Sequence, residues 1–171
     1  VTKRALASKC RNSICVQCGT QFFETAKPPL CCPICEDERQ YINWKGQQWT
    51  TLDKLQQSHR NALYQEAEGI WGIATAPQFG IGQRALMVRT AKGNILWDCV
   101  SLINPDTAAL INSLGGISAI AISHPHYYTS MVEWSRAFGG VPIYLHEEDR
   151  EWVQPIRAPG YKDAGAGRRA G

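Results

Sequence analysis

Ile117-Ser118-Ala119-Ile120-Ala121-Ile122-Ser123-His124-Pro125-His126 is the stretch on which the fold turns. Its apolar run, bounded by Gly115-Gly116 on one side and His-Pro-His on the other, reads as a buried strand. A helix is expected to start near Ser130, where Ser130 and Glu133 form a capping-box pattern. Met131, Trp134 and Phe138 fall on one face of it, Gly139-Gly140 closes it, and Val141–Leu145 reads as a second buried strand. On the upstream side, Asn104 as N-cap and Pro105 at the first position announce another helix, which Gly115-Gly116 stops. Strand, helix, strand, helix, strand implies right-handed crossovers and a partly parallel sheet.

Further upstream, Ile70–Ala74, Arg84–Arg89 and Ile95–Leu102 are short runs rich in Ile, Val, Leu and Trp. Ala91-Lys92-Gly93-Asn94 between the last two predicts a β-hairpin. Before them, Leu52, Leu55, Ala62 and Leu63 recur at helical spacing, so Thr51–Glu66 is expected to be one helix with Thr50 or Thr51 as its cap. His59 is then a surface residue on that helix. The expected division is an arm and cysteine module at 1–45, a connecting helix at 46–68, an α/β domain at 69–157 and a disordered Gly/Ala/Arg tail at 158–171.

Cys15-Val16-Gln17-Cys18-Gly19 and Cys32-Pro33-Ile34-Cys35 are two similar C-x-x-C knuckles separated by 13 residues. Each such turn aims two thiolates at one point, and Gly19 suits the positive φ that the turn often requires. Cys15, Cys18, Cys32 and Cys35 together supply the four soft ligands of a closed tetrahedral zinc site, structural rather than catalytic. Residues 10–45 hold little periodic hydrophobicity, so the metal substitutes for a core there. A redox C-x-x-C would need a thioredoxin-like strand-helix context that this segment lacks, and two disulfides are the other alternative. Cys31 could replace Cys32 only by breaking the spacing. Cys10 has no partner at knuckle spacing, and Cys99 reads as a buried inert thiol in mid-strand.

The totals narrow the class. With 18 basic and 15 acidic residues the net charge is +3, too slight to imply nucleic acid or a membrane surface, and Arg11, Lys27 and Arg39 make no clear basic face. A hydrophobic content of 44% is ample for a core, yet no run approaches the roughly 18 residues of a membrane span. No basic-then-apolar leader is visible, and seven cysteines without one fit metal binding in a reducing compartment, the cytoplasm or nucleus. Lys162, Arg168 and Arg169 belong to a solvated end, and Gly80-Ile81-Gly82 reads as a turn before a strand. Trp134 and Trp152 are expected in the core, and Glu147, Glu148 and Asp149 in a solvated loop, with a carboxylate ligand as the alternative.

His124 and His126 follow the buried strand, at the rim where sheets of this kind gather ligands. In extended geometry a His-x-His can point both imidazoles to one side, and His146, ending the next strand, could share that rim. The strand Ile117–Ser123, the His-Pro-His turn, the helix at Val132-Glu133-Trp134, the strand Val141–Leu145 and the hairpin ending in Leu96-Trp97-Asp98-Cys99 together resemble the metallo-β-lactamase fold. More closely, the arrangement resembles metallo-hydrolase-like proteins that carry an N-terminal pair of zinc knuckles. The matching stretches are Cys15–Phe22, Cys32–Tyr41, Gly80–Cys99 and Ser123–Trp152. The resemblance implies a metal motif His-x-His-x-Asp-His, an Asp at the end of an early strand, and further ligands from a second half of the fold. His124 and His126 match the first two positions, but Tyr128 stands where the Asp would be and Thr129 where the last His would be.

The fold class is therefore α/β, a small zinc ribbon followed by about one half of a metallo-β-lactamase-type αββα sandwich. Half a sandwich leaves the inner face of its sheet exposed. The expectation is a truncated chain, or a face covered by the 51–66 helix, a second copy or a protein partner. One reading of function is a metal-dependent hydrolase with an incomplete site, holding one structural zinc and a second zinc at His124 and His126. The other is a non-catalytic scaffold that binds through its zinc ribbon. No substrate is named by either.

Overall fold

The computed structural model describes residues 11–36 and 46–153. The arm before them, Cys10, the segment 37–45 and the tail expected at 158–171 lie outside the described residues. Two sheets form the frame. The smaller has the order β2-β1-β3, from β1 (Arg11–Cys15), β2 (Gln21–Thr25) and β3 (Trp49–Thr50), all antiparallel.

The larger sheet has six strands in sequence order: β4 (Arg60–Ala67), β5 (Ile70–Ala76), β6 (Arg84–Val88), β7 (Ile95–Trp97), β8 (Ala119–Ala121) and β9 (Ile143–Tyr144). Strands β4 to β7 form an antiparallel meander, and β7, β8 and β9 run parallel. The parallel half needs crossovers. These are α2 (Pro105–Ser113) between β7 and β8, and α3 (Met131–Ala137) between β8 and β9. Both the hairpin at 84–97 and the partly parallel sheet agree with the expectation from sequence.

The segment expected to be one helix is instead two elements. Helix α1 is only Leu52–Ser58, and β4 begins at Arg60. Leu52 and Leu55 do share a helical face, with Leu55 buried beside Ile14 and Leu102. Leu63, however, faces the core as a strand residue opposite Ile73. Tyr64 on the other face of β4 lays its ring over Gly72, where a Cβ would meet ring carbons at 2.7 Å. Pairing with the full length of β5 thus overrides a local spacing that fits a helix. His59 caps α1 in extended conformation and sets its ring edge-on to Phe79.

Alternation along the strands separates two faces. Trp71, Met87, Leu96, Ile120 and Ile143 form one row across the sheet, with Leu63, Ile73 and Ala85 beside it. This face lies in the main core, which is continuous with Phe22, Ile34 and the four knuckle cysteines and takes in Ile111 of α2 and Trp134 of α3. The other face carries Tyr64, Gly72, Leu86, Trp97, Ala121 and Tyr144 in a single register row. There Trp97 is 48% and Tyr144 50% exposed. Among the described residues this face is thus partly open, and α1, which packs on Ile14 and Leu102, does not cover it. Strand β9 is a short partly exposed edge rather than the buried strand expected at 141–145.

Two local expectations change in detail. Asn104 caps α2 through Thr107 N–H at 2.8 Å, as its position predicts. Ser130 precedes α3 but forms no capping box. Its hydroxyl donates instead to the carbonyls of Ser101 (2.8 Å) and Val100 (3.2 Å), while Glu133 pairs with Arg136 at 2.8 Å. Among the described residues no helix is long and apolar enough to cross a membrane.

Ile120 is fully buried in the centre of the inner row. Ile120→Ala is expected to lower the unfolding free energy by about 2–5 kcal/mol in urea titration. Tyr144→Thr, on the open face, should change it by about 1 kcal/mol or less.

Candidate metal centre

The first knuckle is the turn between β1 and β2. Gly19 N–H returns to Cys15 O at 2.9 Å, and Cys15 N–H reaches Thr20 O at 2.9 Å. Gly19 sits at φ 77°, the left-handed region, as the knuckle pattern requires. The second knuckle is a tight turn in which the N–H groups of Cys35 and Glu36 both reach Cys32 O, at 2.9 and 3.0 Å. Each turn therefore directs two sulfurs inward.

All four sulfurs are buried and lie within 4.8 Å of one another. Cys15 Sγ is 3.6 Å from Cys35 Sγ, and Cys18 Sγ is 3.6 Å from Cys32 Sγ. A tetrahedron of zinc–sulfur bonds of about 2.3 Å has sulfur–sulfur edges of about 3.8 Å. The donor set and its spacing fit a tetrahedral thiolate-bound metal. Disulfides do not fit, since their S–S length is about 2.05 Å, and all four cysteines are free.

The charge balance points the same way. Two thiolates 3.6 Å apart repel by about 4–5 kcal/mol even at an effective dielectric of about 20. Without a cation the sulfurs must share protons. Hydrogen bonds from Cys18, Cys32 and Cys35 hold the Cys15 thiol below the ordinary range. The Cys32 and Cys35 thiols are pushed up, first by their contacts with Cys15 and then by those with Cys18. A divalent ion removes this conflict by compensating all four. Two neighbours support the sulfurs: Gln47 Nε2 donates to Cys15 Sγ at 3.2 Å, and Thr20 Oγ1 lies 3.3 Å from Cys18 Sγ. Neither carries a sequence signal that separates it from any other Gln or Thr.

The remaining cysteines divide as chemistry suggests. Cys31 is exposed and stands outside the cluster, whereas Cys32 lies within it. A hydrogen bond with Glu36 pushes its thiol up. Cys99 is fully buried, and burial pushes its thiol well up. It lies just beyond β7 rather than in mid-strand.

His124 and His126 do come together. His124 is extended and caps a single 3-10 turn, Pro125–Tyr127, with its Nδ1 accepting His126 N–H at 3.2 Å. The two rings stack with centroids 4.8 Å apart, and their Nδ1 atoms are 3.0 Å apart. The turn is anchored from β7: the Asp98 carboxylate accepts Ser123 N–H at 2.8 Å and the Ser123 hydroxyl at 2.9 Å. Asp98 is held at φ 64° with its N–H on Ala121 O at 2.8 Å.

Beyond that pair the ligand set does not grow. Among the described residues the four cysteines are the one group of three or more His, Cys, Asp or Glu placed to share an ion. His146 instead caps its own turn through Glu148 N–H at 3.3 Å. Tyr128 is fully buried, with its hydroxyl on Asp149 O at 3.4 Å. Thr129 is fully buried at φ 36°, and its carbonyl accepts Gln21 N–H at 2.8 Å. Both side chains occupy packing positions. Glu147 and Glu148 lie exposed in the turn after β9, as a solvated loop would place them.

No protein-family model matches the chain. An uncharacterised protein of Bacillus subtilis strain 168, YmaE, is 50% identical over 142 residues, which are 82% of this chain and 52% of that protein. The chain thus spans about half the length of the curated relative it matches. Solved structures with partial likeness are metallo-β-lactamases. FIM-1 from Pseudomonas aeruginosa, in its mono-zinc form, is 21% identical with a TM-score of 0.45, covering 60% of this chain and 50% of that one. An enzyme from Hirschia baltica is 17% identical with a TM-score of 0.43, covering 55% and 47%. The fit is too loose to carry a residue role across.

Burial and charge together order the thiols by reactivity. In the native protein Cys31 should be alkylated by iodoacetamide at pH 8 while Cys99 stays unlabelled until denaturant is added, as read by peptide mapping. Because Glu36 raises the Cys31 thiol, Glu36→Gln should speed its alkylation.

Proposed function

We propose that this chain is a zinc-binding protein of metallo-hydrolase type, in which Cys15, Cys18, Cys32 and Cys35 hold one structural zinc and the hydrolytic centre is incomplete. The observation that carries the first part is the convergence of four buried sulfurs within 4.8 Å. Such a closed thiolate set leaves no position for a substrate. Its role is to tie the turn between β1 and β2 to the second knuckle, bracing a small sheet whose strands have five residues or fewer. Reduced thiols in this arrangement suit the cytoplasm.

The second part rests on His124 and His126, whose Nδ1 atoms lie 3.0 Å apart on the turn after β8, where His124 Nδ1 would exchange its bond from His126 N–H for an ion. A metal ion held there supplies Lewis-acid activation of a bound water. The two rings would fix its position, and Asp98, through Ser123, would hold the turn that carries them. Tyr128 and Thr129 are engaged in packing, so a binuclear centre has no second ligand set within the described residues. Hydrolysis of the family's kind would need ligands from beyond this set.

A non-catalytic scaffold is the second reading, favoured by the open row of Tyr64, Trp97 and Tyr144. In that reading a second copy or another protein covers the row. Sedimentation that remains monomeric at high concentration would argue against a second copy.

Elemental analysis of protein purified without added zinc separates these readings. About one zinc per chain in the parent and in the double variant His124→Ala/His126→Ala supports the cysteine site alone, and the scaffold. About two in the parent and one in the variant supports the histidine site, and a hydrolase screen follows. Loss of about one zinc per chain in Cys18→Ser is expected in either case, and an unchanged zinc content would overturn the structural-zinc assignment.

A further inference from the structure

The cysteine cluster and the histidine turn are described above as separate sites, yet one buried side chain touches both. Gln83, immediately before β6, is 6% exposed. Its Nε2 donates to the carbonyl of Cys18 and to the carbonyl of His126, the latter at 2.9 Å. The two protons of one amide are thus used on two acceptors, one in a knuckle and one in the His-Pro-His turn.

The same two segments are stitched at further points. Gln21 N–H reaches Thr129 O at 2.8 Å, and the Ser101 hydroxyl reaches Gly19 O at 2.8 Å. Ser130 returns to Ser101 O at 2.8 Å. There is no slack in this contact: a Cβ on Gly19 would overlap Ser101 Oγ, and one on Gly80 would stand 3.1 Å from Gln83 Oε1 and 3.3 Å from Gly19 N.

We infer that metal occupancy of the cysteine site sets the order of the His124–Thr129 turn, with Gln83 as the positioning residue that transmits it. This rests on the reading that the four cysteines hold a metal. With the ion bound, Cys18 is fixed through its sulfur, so its carbonyl is a stationary acceptor. Gln83 is then held at one proton and orients the His126 carbonyl with the other. With the ion removed, the crowded sulfurs separate and the Cys18 carbonyl moves with them. Gln83 is then released to rotate, and the turn loses its hold on the His126 carbonyl while keeping its own 3-10 bonds, the Asp98–Ser123 anchor and the Gln21–Thr129 bond.

Amide hydrogen exchange on the full chain tests this at Tyr127 and Tyr128, whose N–H groups bond to His124 O at 2.9 Å and Pro125 O at 3.1 Å. Amides in the β5–β6 ladder, around Ile73 and Ala85, serve as the internal reference. In zinc-loaded Gln83→Glu, which replaces both donors by acceptors, exchange at the turn should rise about tenfold or more while zinc content and the reference stay unchanged. Chelation of the parent should raise the turn to a similar extent, and chelation of the variant should add about twofold or less. Turn exchange within about twofold of the parent in the loaded variant, or no rise on chelation, would overturn the coupling. If Gln83→Glu does not fold, Gln83→Met, which removes the donors at similar length, takes its place with the same expected results. A parent that binds no metal at its cysteines sinks the structural-zinc reading and the coupling together. One that binds metal without changing the turn sinks the coupling alone.

Discussion

Four sulfur atoms buried within 4.8 Å of one another cannot all be charged unless a cation lies among them. Much of the molecule follows from that. Strands β1, β2 and β3 have five, five and two residues, too little surface to order a sheet alone. The sheet exists because its cysteines form part of the same core as Met87, Leu96 and Ile120. Binding free energy for an ion at such a site is folding free energy for the module around it. The cluster is therefore less an appendage than one wall of the core.

Among the described residues, the opposite face of the larger sheet is less well covered. The larger sheet buries one face and leaves Tyr64, Trp97 and Tyr144 in a row on the other. An antiparallel sheet can have a wet face, but its outward positions are then ordinarily polar. Here Arg84 and Glu66, paired at 2.6 Å, and Arg60 supply the charge near the meander's outer face, beside these aromatic rings. Tyr64 limits the exposure by lying over Gly72, which turns a gap in the strand into a contact.

What could be read in the sequence was what depends on nearest neighbours. The knuckle spacing, Asn104-Pro105 at a helix start and Ala91-Lys92-Gly93-Asn94 at a hairpin each hold a local geometry that no distant contact has to supply. Leu52 to Leu63 failed because Ala62 and Leu63 fit a helical spacing as well as a strand alternation, and pairing with β5 decided between them. Ser130 failed as a capping box because its hydroxyl found two carbonyls in the loop after β7. At the site, the convergence of the four cysteines was legible from spacing alone. Gln83, Ser101 and Gln47 were not, because a residue that matters through backbone carbonyls far away in the chain leaves no pattern of type or spacing.

That distance has a consequence for the order of assembly. The first knuckle is among the earliest parts of this chain to be synthesised, yet it docks on Gln83, Ser101 and Thr129. A domain emerges from the ribosome N-terminal part first, at a rate of roughly 5–20 residues per second. Until Gln83 and Thr129 have been made, the knuckle lacks these docking partners. The meander β4 to β7, whose contacts are local, can form in that interval, and the knuckle can lock only after the turn at residue 129 has been made. The cysteine cluster therefore completes its packing only with residues made well after it.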